Sequence, residues 1–238
     1  MTAVTNLHTL SKMIDHALLA PKMTDSEIIA GCELAKKYDV AAVCVKPYAI
    51  PLVKEKLFGS TVAVCTVISF PHGSCSTEVK LLETQSCMKA GATAIDVVVN
   101  IGKVLGGDFD YVASEIEAVN KTVTSAGAIL KVIFENAYLN NEQIVKLCQI
   151  CTEKKVAYVK TATGFDYIQQ TDGKFLPQGA LGAQVALMRK HCPLSVKIKA
   201  SGGVKNLAHL MKFKELGCSR IGTSSTAAIL DEAKGVVG

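Results

Sequence analysis

The sequence predicts an α/β fold, specifically a single-domain (β/α)8 TIM barrel over residues 1–238. Short β-branched apolar runs alternate with longer stretches of helical periodicity along the chain. About eight strand–helix units fit into a length that is usual for one closed barrel. A doubly wound open sheet is the alternative. It is disfavoured because no glycine-rich nucleotide fingerprint follows the first predicted strand.

The predicted strands are mostly uninterrupted apolar runs, which is typical of parallel strands covered on both faces. They are Met13–Leu18, Ala41–Val45, Val62–Ser69, Ala94–Asn100, Ile129–Phe134, Ala157–Thr161, Val196–Ala200 and Arg220–Gly222. The carboxyl ends of these strands should meet at one face of the barrel. Catalytic side chains of such barrels gather at that face, so candidates are sought at the strand ends.

Helical periodicity fills the intervals between the strands. The first helix is predicted to begin at Thr24-Asp25-Ser26-Glu27, where capping residues precede an apolar stripe. The other predicted helices are Ser76–Lys89, Tyr111–Ser125, Asn140–Lys154, Leu181–Lys190 and Leu207–Leu216. The segment Asp166–Gln178 shows neither helical periodicity nor strand alternation, and it carries Gly173 and Pro177. It is therefore predicted to be an extended loop.

Composition and charge exclude several classes of protein. The chain is 49% hydrophobic and 20% charged, which is typical of a globular protein. Its net charge is +5, but the basic residues are scattered and aromatics make up 5%, so we expect no nucleic-acid partner. No apolar run reaches the roughly 18 residues of a membrane span. Nine cysteines and the lack of an apolar leader predict reduced thiols in the cytoplasm.

Two lysines stand at the ends of consecutive predicted strands. Lys160 ends one apolar run and Lys199 ends the next. A strand-end lysine ordinarily extends its amine to solvent, but two of them on neighbouring strands favour chemistry. An amine must be uncharged to attack a carbonyl, and a nearby cation together with burial lowers the pKa of a lysine. Lys199 could supply that cation for Lys160, so the pair is a candidate for amine chemistry at a carbonyl.

Acidic and thiol side chains at other strand ends are further candidates. Asp96 lies within an apolar strand, where a carboxylate is costly unless it is paired. A structural ion pair and a proton relay for the lysines both remain open for it. The same two interpretations, structural and functional, stay open for Asp15, His16 and Glu135. Cys44 is a candidate pocket thiol, although an inert buried thiol is the commoner case.

No metal site is predicted. The CxxC pair Cys148 and Cys151 lies within a helical pattern and has no second pair. The five histidines show no metal-ligand spacing. Zinc binding and thiol redox chemistry are therefore not expected.

Two glycine-rich segments follow the last two predicted strands. They are Ser201-Gly202-Gly203-Val204 and Gly222-Thr223-Ser224-Ser225. Each lies between a strand and a helix, so that backbone N–H groups can point at an anion near a helix N-terminus. Tight turns that need glycine are the structural alternative. Barrels often bind phosphate after strands seven and eight, which favours a phosphate site.

Taken in order, these motifs resemble those of the deoxyribose-phosphate aldolase family over nearly the whole chain. The resemblance lies in segments that follow the strands of the predicted barrel. They are Ile14-Asp15-His16-Ala17-Leu18-Leu19, Val43-Cys44-Val45, Phe70-Pro71-His72-Gly73, Glu78-Val79-Lys80, Ile95-Asp96-Val97-Val98, Asn100-Ile101-Gly102, Lys131-Val132-Ile133, Val159-Lys160-Thr161, Thr163-Gly164-Phe165, Lys199-Ala200-Ser201-Gly202-Gly203-Val204 and Ile221-Gly222-Thr223-Ser224-Ser225.

The resemblance implies a metal-free and cofactor-free class I aldolase. Such an enzyme reversibly cleaves 2-deoxy-D-ribose 5-phosphate to acetaldehyde and D-glyceraldehyde 3-phosphate, in deoxyribose catabolism. It implies that Lys160 forms the Schiff base, that Lys199 tunes it and exchanges protons, and that Asp96 takes part in proton transfer. The substrate pocket is expected to include Asp15, Cys44 and Thr161. The expected phosphate-binding residues are Gly164, Gly202, Gly203, Lys205, Gly222, Ser224 and Ser225.

Some positions depart from the family pattern. Glu135-Asn136 replaces a frequent Glu-Thr, Gly179-Ala180-Leu181 replaces a frequent Gly-Ala-Thr, and the segment Asp166–Gln178 is longer than usual. Two alternatives stay open: a Schiff-base aldolase for another sugar phosphate, and a barrel that binds a phosphosugar without turnover. The expected partners are a sugar phosphate and acetaldehyde, and a homodimer is compatible with the resemblance.

Overall fold

The computed structural model describes residues 6–169 and 171–237. Eight parallel strands close into a barrel in the order β1-β10-β9-β6-β5-β4-β3-β2, and two further strands form a hairpin. The barrel strands are β1 (Ile14–Leu18), β2 (Ala42–Val45), β3 (Ala63–Ile68), β4 (Ala94–Val98), β5 (Ile129–Ile133), β6 (Tyr158–Lys160), β9 (Lys197–Ser201) and β10 (Arg220–Thr223). Because β1 pairs with both β2 and β10, the sheet is closed, and the predicted TIM barrel is confirmed.

Helices surround the barrel. They are α1 (Leu7–Ser11), α2 (Asp25–Lys37), α3 (Ile50–Lys56), α4 (Thr77–Ala90), α5 (Ile101–Leu105), α6 (Phe109–Ser125), α7 (Asn141–Glu153), α8 (Gly182–His191), α9 (Leu207–Glu215) and α10 (Thr226–Val237). The six predicted helices correspond to α2, α4, α6, α7, α8 and α9. The start of α2 is fixed by a capping box between Thr24 and Glu27. The helices α1, α3, α5 and α10 were not predicted. The first three are short, and one or two turns show little periodicity.

The segment Asp166–Gln178, predicted to be an extended loop, contains an antiparallel hairpin instead. Its strands are β7 (Ile168–Gln169) and β8 (Phe175–Leu176). Near its tip, Asp172 Oδ1 accepts the N–H of Lys174 at 3.1 Å and Gly173 has a φ of +81°. Such turn chemistry joins the two strands. The prediction was wrong because strands of two residues are too short to show alternation.

Strand alternation divides the buried side chains into two layers. In β4, Ile95 and Val97 belong to the large apolar cluster between the barrel and the helices. Residues of the opposite face point into the barrel, where a smaller cluster includes Ala42, Cys44 and Cys65. The charged side chains described below occupy this interior.

A buried ion pair joins two of the outer helices. Lys80 Nζ of α4 lies 2.6 Å from Glu115 Oε1 of α6 and also donates to the Val98 carbonyl oxygen at 2.9 Å. The side chains of Lys80 and Glu115 are 0% and 3% exposed, so this pair is sealed from solvent. It ties both helices to the end of β4. Among the described helices, none is long and apolar enough to cross a membrane.

Candidate active site

The predicted catalytic trio meets inside the barrel. Lys160 and Lys199 are Cα partners on β6 and β9, so their side chains start at the same level. Asp96 Oδ2 accepts from Lys160 Nζ at 2.9 Å and from Lys199 Nζ at 2.8 Å. All three residues are at most 2% exposed. One carboxylate oxygen therefore holds both lysine nitrogens.

A third lysine completes the coordination of this carboxylate. Lys131 is the Cα partner of Asp96 on β5, and its Nζ lies 2.9 Å from Asp96 Oδ1 and 3.2 Å from Cys65 Sγ. Sequence reasoning gave Lys131 no role. The signal that could have found it is a lysine inside an apolar strand next to the strand that carries Asp96.

Asp15 extends the network toward β10. Its Oδ2 accepts from Lys199 Nζ at 2.5 Å, and Lys131 Nζ lies 3.6 Å from the same oxygen. Its Oδ1 accepts from Arg220 at 3.1 Å. Arg220 was also not predicted, because its place next to Asp15 depends on the closure of the barrel. Asp15, Asp96 and the cations around them thus form one buried network.

The charges of this network stabilise one another. Burial by itself raises the pKa of Asp15, but Lys199, Lys131 and Arg220 outweigh it and lower that pKa to about 2. Burial also raises the pKa of Asp96, but the neighbouring lysines outweigh it and hold that pKa well below the usual value. Burial lowers the pKa of Lys199, and the two carboxylates more than compensate and raise it above the ordinary value. Lys199 is therefore a fixed cation at neutral pH.

A cavity of about 640 Å³ opens above the lysines, at the carboxyl ends of the strands. Lys160, Lys199, Asp15 and Cys44 line its inner part. Asp96 does not line the cavity and lies beneath the lysines. The predicted phosphate-binding residues all line its outer part: Gly164, Gly202, Gly203, Lys205, Gly222, Ser224 and Ser225. We call these seven residues the anion cup.

Thr161, expected in the substrate pocket, is not a lining residue of this cavity. Its hydroxyl donates to the Ser201 carbonyl oxygen at 3.2 Å and accepts the Ser201 N–H at 3.1 Å. The side chain is fully buried between the ends of β6 and β9. Thr161 therefore aligns the two strands that carry the lysine pair.

Backbone geometry shapes the anion cup. Gly202 and Gly203 have φ values of +91° and +79°, which favour glycine. The cup lies where the chain enters α9 and α10, so that helix N-termini contribute partial positive charge there. Gly222 also leaves room for its neighbours. A Cβ at this position would lie 2.9 Å from Ser201 Cβ and 3.2 Å from Lys199 Cε.

Two phenylalanines border the reactive end of Lys160. The rings of Phe70 and Phe165 meet edge to face, with centroids 5.5 Å apart. Lys160 Nζ lies 6.0 Å from the Phe70 ring centroid. Phe165 also lines the cavity with Lys160.

Glu135 and His16 support the rim of the site. Glu135, in the left-handed region with a φ of +56°, accepts the Thr163 N–H at 3.0 Å and the Thr163 hydroxyl. Burial raises the pKa of Glu135 to about 7. His16 Nδ1 lies 2.8 Å from Thr226 Oγ1 at the start of α10, and burial lowers the His16 pKa to about 4. Glu135 thus holds the backbone next to Gly164, and His16 contacts the first side chain of α10, next to Ser225.

Cys44, Cys65 and Asp96 bring three potential metal-ligand atoms within 4.8 Å of one another, as the only such group found among the described residues. A hydrogen bond from Cys65 lowers the pKa of Cys44. A divalent cation here would compete with Lys131 and the lysine pair for the same carboxylate. The surrounding ammonium groups suit this cluster to holding lysines rather than a metal.

A closed (β/α)8 barrel with a buried lysine pair beneath a glycine-lined anion cup belongs to the class of Schiff-base aldolases. Comparison with known proteins defines the family. The model of the DeoC/LacD family of aldolases matches residues 9–217, and the chain belongs to this family.

Relatives described as deoxyribose-phosphate aldolases match most of the chain. That of Rhodopirellula baltica is 43% identical over 231 residues, which cover 97% of this chain and 92% of the relative. That of Treponema denticola is 42% identical over 221 residues, 93% of this chain and 98% of the relative. The expected family is confirmed.

Solved structures show the same barrel. A putative deoxyribose-phosphate aldolase from Coccidioides immitis has a TM-score of 0.88 at 31% identity. The match covers 98% of this chain and 88% of the chain of that structure. The deoxyribose phosphate aldolase of Aeropyrum pernix, described as tetrameric, has a TM-score of 0.86 at 28% identity. The match covers 97% of this chain and 93% of the chain of that structure.

Proposed function

We propose that the protein reversibly cleaves 2-deoxy-D-ribose 5-phosphate to acetaldehyde and D-glyceraldehyde 3-phosphate through a Schiff base on Lys160. The observation that carries this proposal is the position of Lys160 Nζ, which lines the cavity while it bonds Asp96 Oδ2 beside Lys199. The relatives' common description as deoxyribose-phosphate aldolases supports the choice of substrate.

The chemistry begins with the open-chain aldehyde. The uncharged Lys160 amine attacks carbon 1 to give a carbinolamine, which loses water to form an iminium ion. The iminium draws electrons from the bond between carbons 2 and 3. That bond breaks as the hydroxyl on carbon 3 loses its proton and becomes the aldehyde of glyceraldehyde 3-phosphate. The enamine left on Lys160 takes up a proton, and water then releases acetaldehyde.

The buried charges assist the proton transfers of this sequence. Lys199, which Asp15 and Asp96 keep charged, lies beside Lys160 and can donate protons to the reacting groups. Asp96 bonds both lysine nitrogens, so it provides a path for protons to and from the carbinolamine. Lys131 holds the other oxygen of Asp96 and fixes the orientation of the carboxylate.

The anion cup would hold the 5-phosphate. Its N–H groups, the Ser224 and Ser225 hydroxyls and the Lys205 amine line one cavity with Lys160. Binding the phosphate away from the reacting carbons orients the sugar and lowers the entropic part of the barrier.

Borohydride trapping tests the proposal. Wild type incubated with deoxyribose 5-phosphate or acetaldehyde plus borohydride should gain one reduced adduct, mapped to Lys160 by peptide mass spectrometry. Lys160→Ala should gain none, and Lys197→Ala serves as the matched control because Lys197 is exposed on the same strand as Lys199. Active wild type without an adduct would rule out the imine mechanism.

Two alternatives have distinct outcomes in a substrate panel. A Schiff-base aldolase for another sugar phosphate would form the adduct but cleave a different phosphorylated sugar fastest. A phosphosugar-binding barrel without turnover would show neither cleavage nor an adduct while still binding inorganic phosphate.

Compartment and assembly are part of the proposal. All nine cysteines are free thiols and eight of them are buried, which supports the reducing cytoplasm. A homodimer is compatible with the family resemblance. Sedimentation velocity would distinguish it from a monomer or from a tetramer such as that described for the Aeropyrum pernix relative.

A further inference from the structure

The hairpin β7–β8 is joined at its base by one buried carboxylate that does not line the cavity. Asp166 is 1% exposed, and its Oδ2 accepts the N–H of Gln178 at 2.7 Å and the N–H of Gly179 at 3.2 Å. These bonds connect the two ends of the segment beyond its last strand pair, Ile168 and Leu176. A carboxylate that accepts two backbone N–H groups forms strong, charge-assisted bonds.

The closed base of the hairpin presses against the anion cup. The Ala180 N–H donates to the Gly202 carbonyl oxygen at 3.1 Å. A Cβ on Gly179, which has a φ of +66°, would lie 2.7 Å from the same oxygen. The backbones of Gly179 and Gly202 are therefore in direct contact, and any shift of one moves the other.

The neighbouring parts of the cup are held by other bonds. Ser201 is tied to Thr161, and the Val204 carbonyl oxygen accepts the Thr223 hydroxyl at 2.6 Å. Gly202 lies between Ser201 and Val204, and its carbonyl oxygen accepts the Ala180 N–H. The orientation of the Gly202 peptide thus depends on where Asp166 holds the hairpin base.

We infer that Asp166 is a positioning residue for phosphate recognition, because it clasps Gln178 and Gly179 and thereby fixes the Gly202 peptide of the anion cup. This inference rests on the proposed function for its choice of substrate. Asp166 does not line the cavity, and its described hydrogen bonds go to Gln178 and Gly179 and not to the lysine pair. Its loss should affect the binding of the phosphate and leave the chemistry at Lys160 intact.

The test compares a substrate that carries the phosphate with one that lacks it. In Asp166→Ala, we expect KM for deoxyribose 5-phosphate to rise about tenfold, with kcat nearly unchanged, because the misplaced cup binds the phosphate less well. Cleavage of unphosphorylated 2-deoxyribose and the rate of borohydride trapping with acetaldehyde should stay at the wild-type level. Asp166→Asn keeps one oxygen that can accept both N–H groups and should remain close to wild type.

A control on the same hairpin separates the clasp from the rest of the segment. Asp172 is exposed at the tip and pairs only with Lys174 among the bonds found for it, so Asp172→Ala should behave as wild type. If Asp166→Ala does not fold, Gly179→Ala replaces it, since its Cβ would push the Gly202 carbonyl from the other side.

The outcomes decide the inference. Equal losses with both sugars would indicate a general structural role and overturn it, and so would an unchanged KM for the phosphorylated sugar. If wild type shows neither cleavage nor an adduct, the proposed function fails. The clasp is then tested by titration calorimetry with inorganic phosphate, where weaker binding by Asp166→Ala supports it and unchanged binding overturns it.

Discussion

Lys160 and Lys199 bond to the same oxygen atom, Asp96 Oδ2, at 2.9 Å and 2.8 Å. This shared acceptor holds the amine that would react and the cation that would tune it in one geometry. Lys199 has a second carboxylate partner in Asp15, at 2.5 Å, which helps to keep it charged. Lys160 has no such second carboxylate among its described bonds, so it is the lysine freer to react.

Replacing Lys199 should impair the chemical step. In Lys199→Met, the fixed cation and its exchangeable proton are lost, so we expect kcat to fall by about 10²-fold or more. The rate of borohydride trapping with acetaldehyde should fall in parallel, as measured by intact mass over time. Lys205→Met provides the contrast, because a lysine of the anion cup should affect KM for the phosphorylated sugar instead. Near-normal trapping in Lys199→Met would refute the role given to Lys199.

Removing the central carboxylate should destabilise the fold. Asp96→Asn leaves the ammonium groups of Lys131 and Lys199 buried with less compensation, which costs about 3–5 kcal/mol when one partner of a buried ion pair is removed. The penalty should shrink above about pH 9, because these lysines can then lose their protons more easily in the folded variant. Urea unfolding at pH 7 and pH 9.5 measures both effects. A penalty that does not depend on pH would contradict this explanation.

Glu135 should make stability depend on pH in an unusual direction. Its pKa is raised by burial from 4.5 to about 7 in the folded protein. The stability that the protonated form contributes is fully present below about pH 4.5 and is lost as pH rises through about 7. Relative to Glu135→Gln, wild type should therefore lose about 3 kcal/mol between these pH values. Equal pH profiles of the unfolding free energy for both proteins would disprove the raised pKa.

The ion pair between Lys80 and Glu115, outside the barrel, should affect stability without affecting activity. Glu115→Leu leaves Lys80 buried without its carboxylate and should cost about 3–5 kcal/mol. The double variant Lys80→Met and Glu115→Leu removes both charges and should recover most of that loss. Both variants should keep wild-type kcat when folded, since neither residue reaches the cavity. A double variant as unstable as the single one would show that the two charges do not act as a pair.

Much of the fold could be predicted because the barrel strands are apolar runs at regular intervals. All eight appear within two residues of their predicted bounds. The hairpin β7–β8 could not be predicted, since its strands have two residues each and are joined through turn contacts and the Asp166 clasp. Thr161 shows the same limit at the site. Thr161 was expected in the substrate pocket, but its hydroxyl accepts the Ser201 N–H instead.

The sequence alone determined the class of fold and predicted the lysine pair as candidate catalytic residues, because strand periodicity and strand-end position are local properties of the chain. Tertiary structure decided the charge network around them. Asp15 and Lys199 are 184 residues apart, and only the pairing of β1 with β10 closes the barrel that brings them to 2.5 Å. Lys131 and Arg220 acquire their partners in the same way. Their charges are tolerated because closure buries opposite charges together, which no local pattern can specify.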